Sequence, residues 1–170
     1  MILTKQRFLL TIYFVLMWSM TSCYSFRGSL PADIKTIYIA DVKNKETREK
    51  NYGPEFTDQV LNAFIEDNSL GIAKKKNADL VLNCTIESIE RKIASIEIAN
   101  GQAQSSLEEL VVSVRIECKN TKIDKNLVNK TVSEKLQISS QLTDNDREEK
   151  IRELLTDITI QIVDNVIGAW

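Results

Sequence analysis

The chain contains no histidine among its 170 residues. That removes the side chain most often used as a general base near neutral pH, and the commonest metal ligand. Only three cysteines occur, Cys23, Cys84 and Cys118, and no Cys or acidic group shows metal-ligand spacing. There is no Walker loop, no GxGxxG and no GxSxG, so the phosphate cradle, the dinucleotide turn and the nucleophile elbow are all missing. Basic residues do not exceed acidic ones, 22 against 24, which argues against a nucleic-acid partner. The acidic pairs Glu108–Glu109 and Glu148–Glu149 read as surface or helix-start groups, because sequence neighbours point apart on a strand and acids suit a helix N-terminus. These absences point away from an enzyme, a metal site and a cofactor.

What is present begins at the N-terminus. Lys5 and Arg7 precede an apolar run from Phe8 to Trp18, and Met20-Thr21-Ser22 lead into Cys23. A basic start, a short apolar run and small residues before a cut mark a secretory signal. The run is too short to span a bilayer, which takes roughly 20 residues. The last four residues have the pattern of a lipobox, with Met in place of the usual Leu. The expectation is a cleaved lipoprotein-type signal over residues 1–22 and a covalent lipid, palmitate-type acyl chains included, on Cys23. Residues 23–33 then form a lipidated tether, and residues 34–170 a single folded domain. Tyr24 is not the Asp that retains lipoproteins at the inner membrane. The expected location is therefore the outer membrane, on its periplasmic face. Without residues 1–22 the chain keeps 20 basic and 24 acidic residues, a formal charge of −4.

Ile34 to Ala40 is rich in β-branched residues and predicts a first strand. Gly53-Pro54-Glu55 predicts a helix start, and Phe56, Val60 and Phe64 at spacing four make its apolar stripe. Ile72 and Ala73 suggest a short edge strand. Leu80 to Ile89, Leu110 to Cys118 and Leu127 to Ser139 alternate in hydropathy and predict three further strands, each with one buried face. Thr143 or Asp144 caps a last helix whose stripe is Ile151, Leu154, Leu155, Ile158, Ile162 and Val166, with Gly168 as its stop. The order predicts an α+β fold: a two-layer sandwich of an about four-stranded mixed sheet with two helices packed on one face.

Asn100-Gly101 is a hairpin signal between the second and third of these main strands. A three-residue loop there brings the two apolar sets onto one face, with Ile86 opposite Ile116 and Cys84 opposite Cys118. Facing positions permit either a disulfide between Cys84 and Cys118 or two buried free thiols.

The mature region resembles the LptE lipopolysaccharide-assembly lipoprotein family. The resemblance runs through residues 23–26, Leu30-Pro31, 35–39, 66–70 and 78–82, and through the final helix to Trp170. It covers essentially the whole mature length by diffuse traits, without a catalytic signature. It implies a two-helix, four-stranded sandwich that plugs and helps assemble the LptD β-barrel, with which it inserts lipopolysaccharide into the outer leaflet. It also implies lipopolysaccharide contact through basic side chains, for which Lys74, Lys75, Lys76, Arg91, Lys92 and Lys119 are the candidates. An outer-membrane lipoprotein that activates a cell-wall synthase, or builds part of a secretion pore, is the alternative with the same anchor and a similar domain.

Overall fold

The computed structural model describes residues 30–99 and 102–170. The expected signal, Cys23, all of the tether but its last four residues, and Asn100-Gly101 lie outside the described residues. The elements are β1 (Thr36–Ile39), β2 (Lys43–Asn44), α1 (Gly53–Asp67), β3 (Gly71–Ile72), β4 (Leu80–Ala99), β5 (Gln102–Asn120), β6 (Lys125–Ser139) and α2 (Asp144–Ile167). The sheet is mixed, in the order β3-β1-β4-β5-β6, with β2 also paired to β4. It has six strands, which corrects the expectation of about four.

The two unexpected features have local causes. β1 and β2 lie in succession along one edge of β4, both parallel to it. The chain leaves that ladder between them because Val42 turns inward, and its amide donates to Thr57 Oγ1 of α1 at 2.9 Å. A polar stretch that read as loop therefore returns to the sheet as β2. Secondly, β4 and β5 run far past their alternating segments, to 20 and 19 residues. Their outer halves lack the clean alternation because burial ends before the strands do.

The β4–β5 register is corrected as well. Cys84 faces Ile116, Ile86 faces Val114 and Leu82 faces Cys118. The shift is two residues from the expected pairing, so the same side chains stay on the same face. Ala99 pairs with Gln102, which leaves a two-residue connection and pairs even with odd numbers near the tip. An irregularity between Ile86 and Ser88 adds one residue, Glu87, to β4 and restores even opposite even below it. Cys84 and Cys118 are consequently diagonal neighbours, not opposed, and both are buried free thiols. Diagonal positions lie roughly 7–8 Å apart, beyond usual disulfide reach.

The buried sheet face carries Leu80, Leu82, Cys84 and Ile86 from β4 and Leu110, Val112, Val114, Ile116 and Cys118 from β5. It joins the α1 stripe Phe56, Val60 and Phe64 and the whole predicted α2 stripe in one core. Thr143 caps α2 by accepting from the Asp146 amide at 3.2 Å. Gly168 ends α2 with its amide bonded to Asp164, where an added Cβ would stand 2.8 Å from the Asp164 carbonyl oxygen.

Candidate functional site at the two ends of the sheet

The end of the sheet where β1, β3 and β4 begin and β5 meets β6 is built around Asp79. One oxygen of its carboxylate accepts from the amides of Lys35 at 2.9 Å and Thr36 at 3.0 Å, and from Thr36 Oγ1 at 2.9 Å. The other lies 3.0 Å from Lys122 Nζ. The Asp79 amide in turn donates to Thr36 Oγ1, and Thr121 Oγ1 donates to the carbonyls of Ala78 and Asp79. One carboxylate thus ties β1, the start of β4 and the β5–β6 turn. The Lys35 amide, then Lys122, hold its pKa well below the usual carboxylate range.

Four of the sequence-predicted cations stand at this end. Lys74, Lys75 and Lys76 are exposed in the segment that leads from β3 through a short 3₁₀ turn to β4. Lys119 closes β5 and pairs with Asp124. The other two, Arg91 and Lys92, lie more than ten residues along β4, roughly 35 Å away at strand rise. Arg91 is 3.8 Å from Glu49, and Lys92 is 3.3 Å from Glu90. The six residues form two groups and not one site.

The other end is built around Glu46, which no spacing or motif singles out. Its carboxylate accepts from the Arg48 amide at 2.8 Å, from Arg48 Nε at 3.2 Å and Nη2 at 3.1 Å, and from the Ile89 amide at 3.5 Å. The Arg48 side chain, then the Arg48 amide, lower its pKa to about 2 against the opposing effect of burial. Ile89 lies just past the irregularity in β4, where β2 has ended. A side-chain oxygen there replaces a missing strand partner. A charged cleft opens beside it, lined by Arg48, Glu49, Arg91, Asp144, Arg147 and Glu148. Positive and negative groups alternate in it, so it has no net preference for an anion.

Between the two ends runs the half-exposed face of the sheet. Glu87, the extra residue of β4, accepts from Arg115 Nε at 2.7 Å and from Thr131 Oγ1 at 3.1 Å. Ser113 and Ser133 share a 2.9 Å hydrogen bond, and Lys135 pairs with Glu109 at 3.2 Å. This is a polar ladder across three strands, satisfied internally and wet. It offers a partner hydrogen bonds and charge with little apolar area. Both buried thiols have pKa values pushed up to about 12 by burial, which makes them poor nucleophiles. Among the described residues no group of side chains could hold a metal ion, and no helix is long and apolar enough to cross a membrane.

No curated protein matches the sequence. The LptE lipopolysaccharide-assembly family matches it over residues 34–166, most of the chain. This chain belongs to the LptE family. Members are non-enzymatic envelope lipoproteins of lipopolysaccharide assembly and need no cofactor. Solved structures share the fold of this LptE-family chain. A protein from Xanthomonas campestris superposes with a TM-score of 0.60 at 13% identity, over 84% of this chain and 89% of its own. Uncharacterized lipoprotein B from Nitrosomonas europaea gives 0.55 at 14%, over 86% and 91%. Rare lipoprotein B from Shewanella oneidensis gives 0.50 at 17%, over 76% and 89%.

Proposed function

We propose that the chain is an outer-membrane lipoprotein, cut after Ser22 and acylated on Cys23, that plugs and helps assemble an LptD-type β-barrel for insertion of lipopolysaccharide into the outer leaflet. The observation that carries this reading is the family match over residues 34–166. The geometry supports it. Large membrane barrels have polar interiors. A plug for one needs a firm body with a polar outer face, and the ladder Glu87–Arg115–Thr131 with Ser113–Ser133 is such a face. In this reading the body is two-layered, both helices against the buried sheet face, so the ladder is free to meet the barrel wall. Arg91 and Lys92, at the start of the projecting β4–β5 arm, are the cations that would meet lipopolysaccharide phosphates inside the barrel, by exchanging their partners Glu49 and Glu90 for phosphate. Lys74, Lys75, Lys76 and Lys119 are at the other end and are taken up below.

Photocrosslinkers at Ser113 and Ser133 test the central step in intact membranes. The expected product is a single adduct with a large outer-membrane β-barrel protein. Adducts with a cell-wall synthase, or with other copies of this chain alone, would replace the reading. For the anchor, Cys23→Ala is expected to abolish incorporation of a lipid label and to release or mislocalise the protein.

A further inference from the structure

The chain enters the folded body at the Asp79 end. Leu30 packs on the core, and the Ile34 amide donates to the Pro31 carbonyl at 2.9 Å, in a turn that runs into β1. Lys35, Lys74, Lys75, Lys76 and Lys125 stand at this end, all exposed, and none is in an ion pair among the described residues. The local acids are engaged: Asp79 with backbone amides and Lys122, Asp33 with Lys122 at 4.0 Å, Asp124 with Lys119, and Asp67 with the Ser69 amide. Glu66 stands nearby, one residue before the end of α1, while the lysines belong to the connecting segments and strand ends. Two large apolar side chains break this polar surface. Ile72 of β3 is 43% exposed, and Ile123, at the β5–β6 turn, is 61% exposed.

We infer that this end meets the anionic phospholipid headgroups of the leaflet that carries the Cys23 lipid, at the rim of the proposed barrel, with the β4–β5 arm directed into its lumen. The inference rests on the proposed acylation. Seven residues separate Cys23 from Leu30, which limits their separation to about 25 Å even when fully extended. A tether folded to about 10 Å brings this end within the distance over which an anionic surface attracts lysines at moderate salt, roughly 10 Å. Basic residues beside a lipid anchor strengthen attachment to anionic membranes. Isoleucines between lysines are the composition of a surface that dips into the headgroup layer, and not of a solvated turn. Among the described residues no arginine stands beside the five lysines at this end. Ammonium groups on flexible stems suit a fluid array of phosphates better than one fixed glycolipid.

The test uses the mature protein purified from membranes and reconstituted into vesicles. Acetylation rates of individual lysines are compared between pure phosphatidylcholine and the same lipid with about 30% phosphatidylglycerol, an anionic surface of physiological strength. Lys74, Lys75, Lys76, Lys35 and Lys125 are expected to be slowed about fivefold or more by the anionic lipid, with Lys45 at the far end unchanged and the effect lost in about 0.5 M NaCl. Equal rates on a lipidated chain overturn the inference alone. A chain shown by mass spectrometry to carry no lipid overturns the anchor and the inference with it. Protection that needs added lipopolysaccharide, and is absent with phosphatidylglycerol, assigns the lysines to lipopolysaccharide and overturns the bilayer contact. The combined change Lys74→Gln, Lys75→Gln, Lys76→Gln and Ile123→Ser, all at exposed positions, should remove most of the protection at Lys35 and Lys125. Undiminished protection there also overturns it.

Discussion

The β4–β5 hairpin contains two regions with the same secondary structure and different support. Its base, from Leu80 to Ile89, is flanked by β1, β2 and the Glu46 carboxylate on one side and by β5 on the other. Leu80, Leu82, Cys84 and Ile86 are buried in alternation there, and burial resumes at Ile89 after the extra residue Glu87. In its arm, from Arg91 outward, β4 is an edge strand, and past Ser95, where β6 stops at the level of Leu107, only β4 and β5 remain. Ile93 is on the same strand yet 65% exposed. A two-stranded ribbon alone is marginal in water, so the arm is ordered by the base to which it is joined. The difference teaches that alternating hydropathy reports where a strand is covered, and not where the strand ends.

The largest expected effect tests the base. Phe64→Ala removes a fully buried ring between α1 and the sheet, and should cost about 3–5 kcal/mol by denaturant unfolding. Next is the near-end clamp. Asp79→Asn keeps the shape, and its amide oxygen can still accept from Lys35 and Thr36, but its NH2 then faces the Lys122 ammonium and the charge is lost, at a cost of about 2 kcal/mol. Loss of that order in unfolding experiments, with the arm unchanged in hydrogen exchange, would sharpen the contrast. A variant as stable as the parent would show that the clamp is incidental.

Both end carboxylates predict acid behaviour. Their folded pKa values lie below their unfolded ones, at about 2 for Glu46 and well below the usual range for Asp79. The folded state therefore binds fewer protons in that window. Their stabilisation is complete above the ordinary carboxylate pKa and is lost as pH falls from there through the folded values. Denaturation midpoints should decline below about pH 4.5, and the decline should flatten in Glu46→Gln and Asp79→Asn. An unchanged slope in both variants would remove these groups from the account.

A smaller effect concerns the thiols. Protein purified without reductant should show both Cys84 and Cys118 free on titration in denaturant, and unreactive toward alkylation when native. A bridge would mean that the pair is opposed and not diagonal. The smallest expected change is Ile93→Ala, within about 0.5 kcal/mol, because an exposed side chain on the arm has little to lose. A cost near that of Phe64→Ala would end the distinction between base and arm.

The sequence by itself determined the parts that rest on local periodicity. The Phe56–Val60–Phe64 stripe, the long α2 stripe, the Thr143 cap and the parity of the buried sheet face follow from spacings of 3.6 and 2, which need no knowledge of neighbours. A register error of two residues left those faces intact, since parity survives an even shift. Tertiary structure alone decided the rest. Whether Cys84 meets Cys118 or Ile116 depends on a connection one residue shorter together with one extra residue at Glu87, and an irregularity in a ladder leaves no periodic trace. Whether residues 43–44 are strand or loop depends on a hydrogen bond from Val42 to a helix. Asp79 stood in plain sight as an acid before a strand, but its role lies in partners from β1 and the β5–β6 turn, each more than forty residues distant in sequence. The basic residues could be counted from the sequence. That they divide between two ends, and that one end is where the chain enters, depends on which strands begin side by side, because a sheet gathers charges by pairing and not by order in the chain.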